Sequence, residues 1–180
     1  MRKSISEYEE NQPINLETKV IDSEVFLKIS NSDQMLPFFM SIISPYNHWL
    51  FIGSNGGLSA GRKDPENALF PYYTDDKIIE SSEVTGSKSI IRVQKNNQTH
   101  VWEPFSIHFA NEYRLKRNLY KSVFGNKILF EEENLDLELC FRYEWTTSDN
   151  YGFVKSSSIS NSGKSTLNIS ILDGIQNIMP

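Results

Sequence analysis

The residues of this chain that could do chemistry are a serine set between glycines, a Gly-Lys-Ser triplet, three histidines and two runs of acids. Gly57-Leu58-Ser59-Ala60-Gly61 has the Gly-x-Ser-x-Gly spacing in which a sharp strand-to-helix turn exposes a nucleophilic serine. The residues that follow, Arg62-Lys63-Asp64-Pro65-Glu66-Asn67, do not open a helix. Ser59 therefore reads as part of a glycine-flanked strand edge. Gly163-Lys164-Ser165 ends like a phosphate-binding loop, but Ser158 stands where that loop needs its first glycine, so a turn is expected. His48, His100 and His108 have no ligand-like spacing, and Cys140 is the only cysteine; neither a metal site nor a disulfide nor a cofactor is predicted. Glycoside cleavage needs two carboxyl groups across a sugar. Neighbours on a strand point to opposite faces, so neither Asp75-Asp76 nor Glu131-Glu132-Glu133 is such a pair by itself. The glutamate run is expected to cap a solvated strand end, and no catalytic residue is assigned.

These residues need elements to hold them, and the pattern of the chain is that of strands. From Leu135 to Trp145 the odd positions are Leu135, Leu137, Leu139, Phe141, Tyr143 and Trp145, which predicts one long strand with one buried face. Tyr120–Phe124 and Lys127–Glu131 flank Gly125-Asn126, which suits a two-residue hairpin turn. Gly152–Ile159 and Leu167–Leu172 follow, joined by a polar loop from Ser160 to Ser165. Upstream, Val25–Ser30, Phe38–Ile43, His48–Ile52, Ile78–Val84, Ser89–Gln94 and Thr99–Trp102 read as strands, with Asn96-Asn97 a hairpin turn. Gly53–Asp76 reads as a loop system interrupted by a short strand near Leu58. Only Phe105–Leu119 is open to a short helix, with Arg114, Lys116 and Arg117 on a solvated face. The predicted fold is all-β, an antiparallel β-sandwich with at most one short helix.

Composition narrows the partners. The 180 residues carry 18 Lys plus Arg against 23 Asp plus Glu, a formal charge of −5, which gives no basic surface for phosphate backbones. Nucleic acid is not expected to bind. The longest apolar run, Met35–Ile43, is far shorter than a membrane span and contains Pro37, so no membrane association is expected. Met1-Arg2-Lys3 has no apolar stretch behind it that would make a signal peptide, so the expected location is cytoplasmic. The sequons Asn97-Gln98-Thr99 and Asn168-Ile169-Ser170 are discounted on the same ground. The first 17 residues read as a tail, and the apolar run that stops at Pro180 reads as a cut inside a longer protein.

Aromatic rings stack on the CH face of a pyranose. Trp49, Phe70, Tyr72, Tyr73, Trp102 and Trp145 are the candidates; most are expected to be core, with Tyr72 and Tyr73, in a proline-led loop, the best placed. The run Asn47-His48-Trp49-Leu50-Phe51-Ile52-Gly53-Ser54-Asn55-Gly56-Gly57-Leu58-Ser59-Ala60-Gly61-Arg62, with Phe70-Pro71-Tyr72-Tyr73-Thr74-Asp75-Asp76-Lys77, resembles the early segment of cellobiose phosphorylase-like carbohydrate-active proteins. Phe153–Asn161 and Leu172–Pro180 are similar to the later part of the same N-terminal domain.

The resemblance implies a galactose mutarotase-like β-supersandwich, here incomplete, that precedes a six-hairpin helical-barrel catalytic domain in glycoside phosphorylases or hydrolases. In that family the general acid sits on the barrel, so no catalytic residue carries over and the chain alone is expected to be inactive. The implied partners are its own C-terminal catalytic domain, an oligo- or disaccharide, and a second copy in a homodimer; the parent would use inorganic phosphate as co-substrate. Arg62, Asp64, Asp75 and Lys77 are the implied sugar or phosphate contacts, beside Tyr72 and Tyr73. Two other readings stand: a stand-alone carbohydrate-binding sandwich, and, ranked last, an aldose-epimerase-type enzyme using a histidine with a carboxylate.

Overall fold

Every second side chain of a strand faces the same side, so the buried row Leu139, Phe141, Tyr143 and Trp145 dictates one wall of a core. The structure, a computed structural model, describes residues 13–71 and 73–179. Its strands are β1 (Asn15–Ile21), β2 (Glu24–Ser30), β3 (Phe39–Ile42), β4 (His48–Gly53), β5 (Leu58–Arg62), β6 (Gly86–Lys95), β7 (Gln98–Trp102), β8 (Leu115–Ser122), β9 (Lys127–Asn134), β10 (Leu139–Ser148), β11 (Gly152–Asn161) and β12 (Asn168–Gln176), with one short helix, α1 (Asp75–Glu80), after β5. They form a six-stranded sheet in the order β1-β2-β8-β9-β10-β11 and two three-stranded sheets, β3-β4-β5 and β12-β6-β7. All pairings between these strands are antiparallel. The molecule is an all-β sandwich. Its main core draws on all three sheets, with Ile52, Leu58, Ile91, Val93, Trp102, Ile128, Phe130 and Phe141 among its members. Phe26, Tyr120 and Leu129 form a smaller cluster, and alternation places them on the other face of the large sheet.

Several elements differ from the sequence expectation, each for a local reason. Leu135–Glu138 is a turn rather than the start of a strand, because Asn134 Oδ1 accepts the amides of Asp136 (3.2 Å) and Leu137 (3.0 Å) and Glu138 takes φ 58°. The β8–β9 connection is four residues, Val123–Asn126, with only Gly125 left-handed (φ 72°), so the two-residue turn is not formed. Asn96 and Asn97 do form one, both at positive φ (53° and 60°). The helix lies at Asp75–Glu80, where a strand was expected from Ile78; two acids in its first turn suit the positive end of a helix, and Ile78 is buried beneath it. A Cβ at Gly57 would come within 2.0 Å of the Ile78 carbonyl, so only glycine lets α1 pack this closely on the sheet. The 105–119 segment holds a single 3-10 turn, Ile107–Phe109, and then enters β8.

Arg117 is not on a solvated face, and the glutamate run does not cap a solvated end. Glu131 and Glu132 are 2 % and 0 % exposed. Glu132 faces the core, where it accepts from Trp102 Nε1 (2.7 Å), the Phe105 amide (2.8 Å) and Arg117 Nε (2.6 Å). Arg117 Nη2 also donates to the Ser106 carbonyl (3.1 Å). Removing one partner of a buried ion pair leaves a charge and its donors unmet, which costs about 3–5 kcal/mol. Glu132→Ala is therefore expected to lower unfolding stability by that amount in urea titration, with Glu132→Gln intermediate because its amide oxygen still accepts.

Candidate functional site

The row that places Trp102 in the core continues along β7 to His100 and Gln98, which share its face but lie past the end of the core. They open into a cleft of about 410 Å³ at the end of the sandwich, lined by Lys95, Asn96, Gln98, His100, Glu112, Tyr113, Asp136 and Leu137. One wall is the β6–β7 hairpin; the other is the loop before β8 and the β9–β10 turn. Lys95 crosses between them, donating to the Asp136 carbonyl and to Glu138 Oε2, both at 2.8 Å. The Asp136 carboxylate braces the far wall by accepting the Arg114 amide (2.8 Å) and Arg114 Nε (2.7 Å). Tyr113 OH donates to the Val101 carbonyl (2.7 Å), and burial together with the Glu112 and Asp136 charges raises its pKa, keeping it a neutral donor.

With those contacts made, the side chains of Asn96, Gln98, His100 and Glu112 have no hydrogen-bond partner among the described residues. An imidazole, two amides and a carboxylate beside a tyrosine ring can read hydroxyl groups as both donors and acceptors. A second, smaller cleft of about 130 Å³ lies where Phe105, Phe130 and Arg117 meet Asp33 and Asn55. The Asn55 Oδ1 atom is buried without a partner among the described residues, while its Nδ2 donates to the Ile79 carbonyl.

The residues singled out from sequence lie elsewhere. Arg62 is exposed at the end of β5, and Asp64 precedes a 3-10 turn, where it accepts from Asn67. Asp75 and Lys77 are exposed on α1, with Lys77 3.8 Å from Glu80, and Tyr73 is half-buried just before that helix. None of these five lines either cleft. Tyr72 lies outside the described residues. Of the ring candidates, Phe70, Trp102 and Trp145 are core, while Trp49 stacks on Phe51 (5.6 Å) in a row completed by Phe39. Ser59 is fully buried within β5 and donates to the Pro71 carbonyl (2.8 Å), which leaves its hydroxyl no access to a substrate. Gly163 and Ser165 lie in a turn closed by the Asn161 side chain. Period-two counting back from Trp102 would have found His100 and Gln98; nothing in the sequence pairs them with Glu112.

Among the described residues no group of three or more His, Cys, Asp or Glu is placed to hold a metal ion, and no helix is long and apolar enough to cross a membrane. The chain matches no family model and no curated protein.

The other ionisable groups mostly serve structure. Burial works to raise the Glu131 pKa, but hydrogen bonds from Tyr120 OH (2.8 Å) and Asn118 Nδ2 (2.7 Å) and the Arg142 charge outweigh it, holding the carboxyl below its ordinary 4.5. Burial and the Glu131 charge push the nearby Cys140 thiol up to about 11, so it stays protonated and a poor nucleophile at neutral pH. Glu83, which accepts from the Ile107 amide (2.8 Å) and Lys88, is lowered, as is Asp173 beside Lys155. A carboxyl whose pKa is depressed on folding contributes stability that is complete above its unfolded value and lost as pH falls through the folded one. These groups alone therefore give little change in melting temperature between about pH 7 and 5 and a fall below about 4.5. Calorimetry should show that fall reduced in Glu131→Gln, which has no proton to take up at this site.

Proposed function

We propose that the chain is a non-catalytic sugar-binding β-sandwich that serves as an accessory domain of a carbohydrate-active protein. The observation that carries the reading is the end cleft, where four hydrogen-bonding side chains from two walls meet without partners of their own. Vicinal hydroxyls suit such a set, because each offers a donor and an acceptor about 3 Å apart, within reach of an amide or a carboxylate. The Tyr113 ring supplies the apolar face that a pyranose needs. The rigid bracing by Lys95, Asp136 and Asn134 favours binding, since less ordering is required when ligand arrives.

The wider part of the proposal follows from the resemblance of residues 47–62, 70–77, 153–161 and 172–180 to cellobiose phosphorylase-like proteins. On that reading the parent carries a helical-barrel catalytic domain, the sandwich is part of a supersandwich, and Arg62, Asp64, Tyr72, Tyr73, Asp75 and Lys77 approach the sugar or phosphate from the barrel side. A stand-alone binding module differs only in needing no second domain. Isothermal titration of the chain with cellobiose and a panel of di- and oligosaccharides separates the cases. We expect at least one saccharide to bind, with Gln98→Ala and Glu112→Ala each weakening it about tenfold, the loss of roughly one ligand hydrogen bond of about 1.4 kcal/mol. Binding that ignores both substitutions but is lost in Arg62→Ala or Tyr73→Ala would move the site to the loops; no binding by any saccharide would refute the stand-alone reading.

A further inference from the structure

The free edge of β12 points to a partner. Among the described residues this strand ends its sheet, paired with β6 on one side only. Residues Asn168 to Ile175 are all exposed. Ile169, Ile171 and Ile175 lie opposite Val93, Ile91 and Ser87 on the face that leads into the core, yet they remain 38 %, 43 % and 38 % exposed; Leu172, on the opposite face, is 70 % exposed. Natural edge strands are blunted by charges, prolines, bulges or a covering segment. β12 contains no proline, and its one charge, Asp173, is already engaged by Lys155 Nζ (2.6 Å) and Ser89 Oγ (2.5 Å).

The order of residues in β12 says what fits this edge. Counted outward from Leu172, Ser170 matches Gly174, Ile169 matches Ile175, and Asn168 matches Gln176. An antiparallel strand related by a two-fold axis through Leu172 sets small against small, isoleucine against isoleucine and amide against amide. Ile171 then faces Asp173, and no like charges face each other. A Cβ at Gly174 would meet nothing within 4 Å, so there is room beside it for the serine of the mate. Self-complementarity of this kind is what an isologous interface requires. We propose that two copies of the chain pair β12 to β12, with Leu172 on the two-fold axis, joining two three-stranded sheets into one continuous six-stranded sheet. The half-exposed isoleucines of both copies then share one face of the seam, on either side of the two Asp173 carboxylates that Lys155 and Ser89 already engage, and each Leu172 packs on its mate.

Sedimentation velocity of the 180-residue chain should show a reversible dimer over micromolar concentrations. Directly opposed residues of an antiparallel pair have Cα atoms about 4.5–5.5 Å apart, within the range a disulfide spans. In a Cys140→Ser background, Leu172→Cys should therefore cross-link two chains on mild oxidation. Ile90→Cys should not; it is exposed on the same face but one strand further from the axis. Leu172→Lys and Leu172→Glu should each give folded monomers by circular dichroism, and an equimolar mixture of the two should restore the dimer. A chain that stays monomeric at every concentration would show that the edge is left for another strand. A dimer that survives Leu172→Lys, or cross-linking by both cysteines alike, would place the contact elsewhere. Any of these results overturns the proposal.

Discussion

One buried carboxylate organises this sandwich. Glu132 accepts from a ring nitrogen of β7, a backbone amide of the following loop and the guanidinium of β8, so three separate parts of the chain are held to one point in the core. Among them is Phe105, a non-glycine residue at φ 66°, a conformation that costs of order 1–3 kcal/mol and persists only when its surroundings over-determine it. Its ring is fixed edge-on to Phe130, Phe141 and Tyr143. From there the loop is tied again by Glu83, which accepts the Ile107 amide and the Ser106 hydroxyl. The path these two acids impose delivers Glu112 and Tyr113 to the end cleft and Phe105 and Arg117 to the smaller one. Both concavities thus depend on acids that line neither of them.

The division between legible and illegible features follows from range. Alternation is a local property, and it correctly made Phe141, Tyr143 and Trp145 one buried row and gave β2, β4, β6, β7 and β11 nearly at their observed places. Asn96-Asn97 was equally local, since both residues tolerate positive φ. What misled was pattern without its partner. Leu135 and Leu137 continue the apolar alternation, yet Asn134 bends the chain at that point by capping two amides. Three consecutive glutamates look solvated until Arg117, Trp102 and Tyr120, each more than ten residues away, are brought to two of them. The end cleft was hidden for the same reason, because its walls come from residues 95–100, 112–113 and 136–137.

The charge distribution also separates groups that brace the fold from those left open at the cleft. Lys88 with Glu103, Lys95 with Glu138, Lys127 with Glu24, and Arg142 with Glu131 are ion pairs between segments distant in sequence or on neighbouring strands, and Lys88 also reaches Glu83 in the turn before β6. Most are partly exposed and individually worth little to stability. Their effect is geometric: they tie loops to sheets and leave two amides, an imidazole and one carboxylate at the cleft.

The contact between Lys155 and Asp173 has a different consequence. It joins β11 to β12, the exposed edges of two different sheets, and the lysine side chain that makes it is only 5 % exposed and reaches within 5.9 Å of the centre of the Tyr143 ring. An amine so paired and shielded is a slow target for acylating reagents, unlike the exposed Lys164 in the loop between the two strands. The relative acylation of these two lysines therefore works as a built-in gauge of whether this side of the sandwich is closed or has opened.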